Sequence, residues 1–209
     1  MTTLSLLRQN PVIPLATLPA AEGAADLAGA IVNGGIDIVE VALRSDAAIP
    51  AIEEIRRAQP GMTVGAGTVR TPADIERIVS AGAQFAVTPG VTDELLEAAA
   101  RWDIPLLPGA ATPSEIMALA ARGFDVIKIF PCHQLGGIDY IRAISGPFPE
   151  IGYCPSGGVN AENFIEYLRL DSVVCVSGSW IAPADAVSEG DWDRVERITR
   201  TIRQKLDAR

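Results

Sequence analysis

Short apolar runs alternate with longer helical patterns along this chain, and that alternation constrains its fold more than any other feature. Near-continuous apolar runs such as residues 173–176 are typical of parallel strands that helices cover on both faces. Strands that take turns with helices in this way predict an α/β sheet of parallel strands. The predicted strands are residues 12–16, 36–43, 62–69, 84–88, 105–108, 126–130, 151–154 and 172–176.

The intervals between the predicted strands carry helical signals. Thr71 and Thr112 are each followed by a proline, which is the arrangement of a capping hydroxyl with proline at the first helical position. Glu115, three residues after Thr112, completes a capping box. Further helices are predicted over about residues 20–33, 47–57, 92–102, 138–144 and 161–168, and over about 190–206, where an apolar stripe recurs at helical spacing (Trp192, Val195, Ile198, Ile202 and Leu206).

Eight strand–helix units in 209 residues leave about 26 residues for each unit, which is compact for a barrel but sufficient. The chain shows no linker, low-complexity tract or break in composition. We therefore predict a single (β/α)8 TIM barrel over residues 1–209, with an open doubly wound sheet as the alternative. A barrel of this class carries its active site at the carboxyl ends of the strands.

The composition and charge of the chain indicate which partners and which cellular compartment to expect. The chain is 48% hydrophobic and carries a net charge of -9, so it is globular and is not expected to bind a nucleic-acid backbone. The three cysteines, at 132, 154 and 175, form no CxxC motif and resemble small buried residues in a reducing compartment. The amino-terminal residues lack a signal-peptide pattern, and no apolar run approaches the roughly 18 residues of a membrane span. We expect a cytoplasmic protein that binds no membrane.

Lys128 is the most informative charged residue. Only two of the 17 basic residues are lysines, and this one lies between Ile127 and Ile129 in a predicted strand. Burial disfavours the charged ammonium, and a neutral amine in an apolar pocket is a nucleophile that forms Schiff bases with carbonyl compounds. The alternative is a lysine at the end of a strand whose ammonium group extends to solvent.

Glu40 is a second charge inside an apolar strand, between Val39 and Val41. If it points into the barrel, it lies near Lys128 and can act as a general acid and base. The alternative is a structural ion pair with Arg44, four residues further on.

A pair of small residues that includes glycine follows each of the last two predicted strands. Gly157-Gly158 and Gly178-Ser179 occupy the loops in which barrels of this class bind phosphate through backbone N–H groups. His133, the only histidine, is a possible proton shuttle, although a lone loop histidine is more often simply solvated. His133, Cys132 and Cys154 lack the spacing of a zinc site.

In several of these segments the chain resembles the class I 2-keto-3-deoxy-6-phosphogluconate (KDPG) aldolases, a family that overlaps with the 4-hydroxy-2-oxoglutarate (KHG) aldolases. The resemblance extends over about residues 10–183. It rests on the ordered segments VIP at 12–14, VEVALR at 39–44, VGAGT at 64–68, FAVTPG at 85–90, PLLPG at 105–109, IKIFP at 127–131, CPSGG at 154–158 and GSW at 178–180.

The resemblance implies a role for each matching residue. Lys128 would form the Schiff base, and Glu40 would transfer protons. Arg44, Thr68 and Pro89 would surround the pyruvate part of the substrate, with its carboxylate near Arg44 and Thr68. The phosphate would be held by three further residues, Gly157, Gly158 and Ser179. The family is typically trimeric and needs no metal or other cofactor.

Two segments depart from the family pattern. Ser156 stands where the family usually has threonine, a position linked to stereochemical choice at the new carbon. The loop at 131–136 replaces the more usual small and acidic residues. The resemblance thus predicts KDPG cleavage, with KHG or a galactonate epimer as alternative substrates. A non-covalent sugar-phosphate isomerase or epimerase, and a non-catalytic sugar-phosphate binder, are the other interpretations.

Overall fold

The computed structural model describes residues 3–209, apart from the side chain of residue 4. The first two residues of the predicted 1–209 domain therefore lie outside the described part. Within that part, short strands alternate with helices from end to end. The strands are β1 Val12–Ala16, β2 Ile38–Ala42, β3 Thr63–Gly67, β4 Phe85–Val87, β5 Leu106–Leu107, β6 Gly109–Ala110, β7 Val126–Ile129, β8 Gly152–Pro155 and β9 Val176–Gly178.

One helix precedes β1, and the others lie between strands or after the last strand. The helices are α1 Thr3–Gln9, α2 Ala24–Asn33, α3 Ala48–Ala58, α4 Pro72–Ser80, α5 Asp93–Arg101, α6 Pro113–Ala120, α7 Gly137–Ser145, α8 Phe164–Leu168, α9 Ala184–Glu189 and α10 Trp192–Asp207. No helix of residues 3–209 combines the length and the apolar character that crossing a bilayer requires.

All strand pairs are parallel, and together they form the predicted barrel. One sheet has the order β5-β4-β3-β2-β1-β9 and the other the order β6-β7-β8. Pro108, which has no backbone N–H, separates β5 from β6, so these two are halves of one barrel strand. A parallel bridge between Ser156 and Ser177 joins β8 to β9. The (β/α)8 fold is therefore confirmed, and the doubly wound alternative is wrong.

The eighth strand differs from its prediction. The apolar run at 172–176 suggested the strand, but the regular strand is Val176–Gly178, and Val173 makes only an isolated bridge to Tyr153. Pairing with β1 decides the position, because Ser177 lies opposite Ile13 and Gly178 lies opposite Pro14. The apolar run therefore predicted a strand that begins and ends too early. The observed strand places Ser177 in the barrel wall.

Helix boundaries follow the local signals where such signals exist. Thr112 closes the predicted capping box, and Thr71 caps its helix as predicted but also closes a box with Asp74 that was not predicted. The second helix begins at Ala24 rather than near residue 20, and its cap, Gly23, makes no side-chain capping bond. Helices α1 and α9 were not predicted, since both are short, and α9 begins after Pro183 without a side-chain cap.

The last helix packs on the barrel through its predicted stripe. Val195 and Ile202 are buried, and the other members of the stripe lie against the same core. Thr199 lies so close to Gly34 that a Cβ at that glycine would overlap it. The carboxyl-terminal helix thus contacts α2 and covers one side of the barrel.

Candidate active site

The two charged residues singled out in the strands meet inside the barrel. Lys128 on β7 is 6% exposed and Glu40 on β2 is 0% exposed. The Lys128 Nζ lies 3.6 Å from the Glu40 Oε1 and 5.6 Å from the centre of the Phe130 ring. The ammonium group therefore does not extend to solvent. The ion pair of Glu40 is with Lys128, whereas the Arg44 Nε donates to the Thr68 Oγ1 at 3.1 Å.

The two oxygens of Glu40 have different surroundings. Oε2 accepts a hydrogen bond from the Ser177 Oγ at 2.8 Å. Oε1 is buried and has no hydrogen-bond partner among the described residues. A buried carboxylate oxygen without a partner is costly, so a site that keeps one is arranged for a group not belonging to the protein chain.

Two glycines of β3 make room for this carboxylate and its neighbours. A Cβ at Gly67 would overlap the Glu40 Oε1, and a Cβ at Gly65 would overlap the Phe85 ring. Glycine occurs in a strand interior where a close approach requires it. The sequence GAGT therefore gives the Glu40 side chain its space inside the barrel.

Arg44 and Thr68 lie at the carboxyl ends of β2 and β3. Thr68 has a φ of 58°, a left-handed conformation that is uncommon for a β-branched residue and typical of functional sites. Both residues line a polar cavity of about 410 Å³ that also includes Arg70 and Arg77. The predicted carboxylate-binding residues are thus close together, in a cavity that Asp46 and Asp74 line as well, the latter paired with Arg77.

Pro89 follows β4 on the same rim and is half-buried. Its neighbour Thr88 is buried and accepts a hydrogen bond through Oγ1 from the Gly109 N–H at 3.0 Å. A Cβ at Gly109 would overlap the backbone of Pro89. The bond and the close packing together fix Pro89 relative to the strand beside Lys128.

The predicted phosphate loop continues from β8. Ser156 is buried, and Gly157 and Gly158 have φ values of 85° and 87°. Successive N–H groups in such turns can form a concave anion site. A Cβ at Gly158 would overlap His133, whose N–H donates to the Gly157 carbonyl at 2.9 Å. His133 is exposed and thus lies beside the phosphate loop.

Ser179 is exposed and directly follows β9. The bridge between Ser156 and Ser177 brings the ends of β8 and β9 together. The loops that carry Gly157, Gly158 and Ser179 therefore begin from neighbouring strands, as the barrel fold requires of them.

The cysteines are buried free thiols, as the sequence predicted. Burial raises the pKa of Cys132 to about 11, although a hydrogen bond with Tyr167 acts in the opposite direction. The pKa of Cys175 is raised by its hydrogen bond with Cys154 and then by burial. Residues 3–209 contain no cluster of three or more His, Cys, Asp or Glu side chains placed to hold a metal ion.

A second, larger cavity lies away from this chemistry. It has a volume of about 690 Å³ and opens at the amino-terminal ends of β3, β4 and β5, between α1 and α5. Thr63 and Gln84 line it together with mainly apolar residues. Size alone would select this cavity, but the buried ion pair and the orphaned carboxylate oxygen lie elsewhere.

Ser177 is the site residue that sequence reasoning missed. No role was assigned to it, because the predicted eighth strand ends at residue 176. The register with β1 would have revealed it, because a strand that extends to Gly178 brings Ser177 into the barrel wall.

Comparisons with known proteins identify the family. The profile of a family described as KDPG and KHG aldolase matches residues 4–198. A protein from Escherichia coli K12 named KHG/KDPG aldolase is 43% identical over 196 residues, which cover 94% of this chain and 92% of that protein. A 2-dehydro-3-deoxy-phosphogluconate aldolase from Pseudomonas aeruginosa is 40% identical over 202 residues, covering 97% and 92%.

A solved structure is similar over nearly the whole chain. It is a crystal structure of KDPG aldolase from Legionella pneumophila in which pyruvate was captured at low pH as a covalent carbinolamine intermediate. Its TM-score is 0.92 at 42% sequence identity, and the match covers 96% of this chain and 97% of that one. The chain therefore belongs to the family of KDPG and KHG aldolases.

Proposed function

We propose that the protein is a Schiff-base aldolase, a carbon–carbon lyase that reversibly cleaves KDPG to pyruvate and D-glyceraldehyde 3-phosphate. The observation that carries this proposal is the buried Lys128 Nζ at 3.6 Å from a Glu40 oxygen that accepts no hydrogen bond from the described residues. An amine beside a carboxylate that can receive its proton is suited to attack a ketone. The covalent pyruvate of the Legionella aldolase supports the same chemistry.

The reaction begins when the neutral Lys128 amine attacks the C2 carbonyl carbon of the substrate. The carbinolamine loses water to give an iminium ion, which withdraws electrons from the C3–C4 bond. Glu40 takes the proton of the C4 hydroxyl, the C3–C4 bond breaks, and the aldehyde leaves. The enamine that remains on Lys128 is protonated at C3, and water then hydrolyses the iminium to release pyruvate and the free amine.

The substrate is bound by the residues around this pair. Arg44 and Thr68 take the carboxylate, and Pro89 bounds the pyruvate part. Gly157, Gly158 and Ser179 hold the phosphate, whose charge suits backbone N–H groups in left-handed turns. Ser156, which is buried before the phosphate loop, contributes to stereochemical choice at C4, as the family resemblance implies.

Borohydride trapping with pyruvate tests the proposal. Reduction of the iminium should leave a stable adduct on Lys128, which peptide mass mapping would locate. Lys205 is an internal control, since it is the only other lysine and donates to the Ala161 carbonyl on the barrel exterior. An adduct on neither lysine, in protein that binds pyruvate, would contradict the Schiff-base mechanism.

KHG is the second candidate substrate, because the E. coli relative is named for both activities. A comparison of kcat/KM for KDPG, KHG and the galactonate epimer would rank the three. Full activity of K128M toward a sugar phosphate would instead favour a non-covalent isomerase or epimerase. Ligand-induced stabilisation without turnover would favour a binder.

We also propose that the protein is a single-domain, cytoplasmic homotrimer that needs no cofactor or metal and binds neither nucleic acid nor membranes. These properties are typical of the family that the sequence resembles. Light scattering coupled to size exclusion separates a monomer of 22.0 kDa from an assembly three times as heavy. Activity that persists after exhaustive chelation would support the absence of a metal requirement.

A further inference from the structure

Among the described residues, Ser177 is the only one whose side chain donates a hydrogen bond to Glu40. Its Oγ donates to the Glu40 Oε2 at 2.8 Å, and both residues are fully buried. Because the bond occupies one oxygen, the carboxylate cannot rotate about its terminal torsion without breaking it. The other oxygen, Oε1, then remains 3.6 Å from the Lys128 Nζ.

The position of Ser177 is fixed by the barrel itself. It pairs in register with Ile13 of β1 on one side and forms the bridge to Ser156 on the other. A side chain on a central strand of a closed sheet is held more rigidly than one on a loop. The hydroxyl is therefore a fixed reference point for the Glu40 carboxylate.

The other groups around Glu40 cannot replace this bond. Gly67 approaches the carboxylate from β3 without a side chain. Lys128 approaches from β7, but it loses its positive charge when it becomes the neutral amine that attacks the substrate. Cys175, on the segment before β9, has a raised pKa and remains a neutral thiol. Ser177 is thus the donor that still holds Glu40 when the charge on Lys128 changes.

We propose that Ser177 is a positioning residue for proton transfer: its hydroxyl fixes one oxygen of Glu40, so that the other faces Lys128 and the substrate carbon. This inference rests on the proposed Schiff-base function and adds to it a residue with no direct contact to the reacting atoms. Loss of a hydrogen bond to a charged group is expected to lower the rate about 10- to 100-fold.

The test compares S177T with S177V, because the two side chains have the same shape and differ in the hydroxyl. We expect S177V to lower kcat for KDPG about 10- to 100-fold with little change in KM, and S177T to recover most of that loss. Exchange of the pyruvate methyl protons in D2O should slow in parallel in S177V. The extent of borohydride trapping at Lys128, measured at its end point, should remain that of the original protein.

Two further variants separate positioning from a structural role. In an E40Q background, S177V should cause no additional loss, since there is no carboxylate left to position. S145A removes a serine hydroxyl that bonds Ile141 and Ser172 away from the site, and it should leave exchange unchanged. S177A, which adds no atoms, provides the same comparison if both branched variants unfold.

The outcomes of the two proposals are distinguishable. If the unaltered protein forms no pyruvate adduct on Lys128, the Schiff-base function itself fails. If it forms the adduct but S177V and S177A exchange protons at the normal rate, only the role of Ser177 is overturned. A loss of equal size in the E40Q background would also overturn it, because the hydroxyl would then act independently of Glu40.

Discussion

Glu40 and Glu115 are two carboxylates that accept hydrogen bonds, and they serve opposite purposes. Glu115 Oε2 accepts from the N–H groups of Ala111 and Thr112 at 2.7 and 2.8 Å, at the exposed start of α6. Glu40 lies inside the barrel, where Oε2 accepts a hydrogen bond and Oε1 has the ion pair with Lys128 but no hydrogen bond from the described residues. The bonds of Glu115 complete a helix cap, whereas Glu40 Oε1, which is paired with Lys128 but accepts no hydrogen bond from the described residues, leaves a place for a substrate.

The difference shows how a stability site and a catalytic site can be told apart by physical criteria. The capping box satisfies groups that the helix leaves unpaired, so its favourable energy is complete in the folded protein. The interior pair keeps a buried charge only partly compensated, which is costly for folding and useful for chemistry. Variants of the two regions should therefore affect different quantities.

The largest expected effect comes from K128M. Without the amine no Schiff base can form, so kcat/KM for KDPG should fall by at least about 10⁴-fold. The change also leaves Glu40 buried without its cation, which costs on the order of 3–5 kcal/mol of unfolding free energy. Steady-state kinetics and urea unfolding measure the two losses.

K205M is the matched control for K128M, and it should retain full activity. K128M/E40Q removes both charges and should recover much of the lost stability without recovering activity. If K128M were as stable as the unaltered protein, loss of the Lys128 ammonium would not leave Glu40 as a costly, uncompensated buried charge.

The next largest effect is expected for E40Q. An amide has the shape of the carboxylate but cannot take the proton of the C4 hydroxyl, so kcat should fall about 10²- to 10⁴-fold. Lys128 remains, and pyruvate should still be trapped on it by borohydride, more slowly. A variant that cleaves KDPG at the normal rate would assign the proton transfer to another group.

G158A should act mainly on binding. The glycine has a φ of 87°, and a Cβ there would overlap His133. We expect the KM for KDPG to rise about tenfold, which is roughly 1.4 kcal/mol, while the reaction with pyruvate alone changes little. Kinetics with phosphorylated and unphosphorylated acceptors measure the difference.

Gly123 offers a control with the same backbone strain and no contact. Its φ is 85°, and a Cβ there would meet nothing within 4 Å. G123A should therefore lose about 1 kcal/mol of stability with no change in KM. Equal effects of G123A and G158A on KM would show that strain alone, rather than the phosphate loop, is responsible.

The sequence predicted the partners of Glu115 but not the Ser177 partner of Glu40. The partners of Glu115 lie three and four residues away, so a local motif predicted that cap correctly. The partner of Glu40 on β9 lies 137 residues away, and only closure of the barrel brings it near. The roles of Lys128 and Glu40 came from charges in apolar strands together with the family resemblance. Ser177 was missed because hydrophobicity places the eighth strand too early.

The smallest expected effect is that of E115Q, which tests the satisfied member of the comparison. The N–H of Ala111 lowers the pKa of Glu115 more than any other contact does, and the Thr112 groups act in the same direction. A folded pKa below the unfolded value of about 4.3 means that the carboxylate stabilises the protein above that pH. The stabilisation is lost as the pH falls through the folded pKa.

The unfolding free energy of E115Q should therefore be about 1 kcal/mol or less below that of the unaltered protein at pH 7, and this gap should close toward pH 3. E97Q, at an exposed carboxylate on α5, is the control for loss of a surface carboxylate charge and should leave the unfolding free energy at pH 7 unchanged. Activity should be unchanged in both variants, because neither residue contacts the interior pair. A gap that persists at pH 3 would mean that Glu115 stabilises α6 through packing and not through its charge, and the contrast with Glu40 would then lose its electrostatic basis.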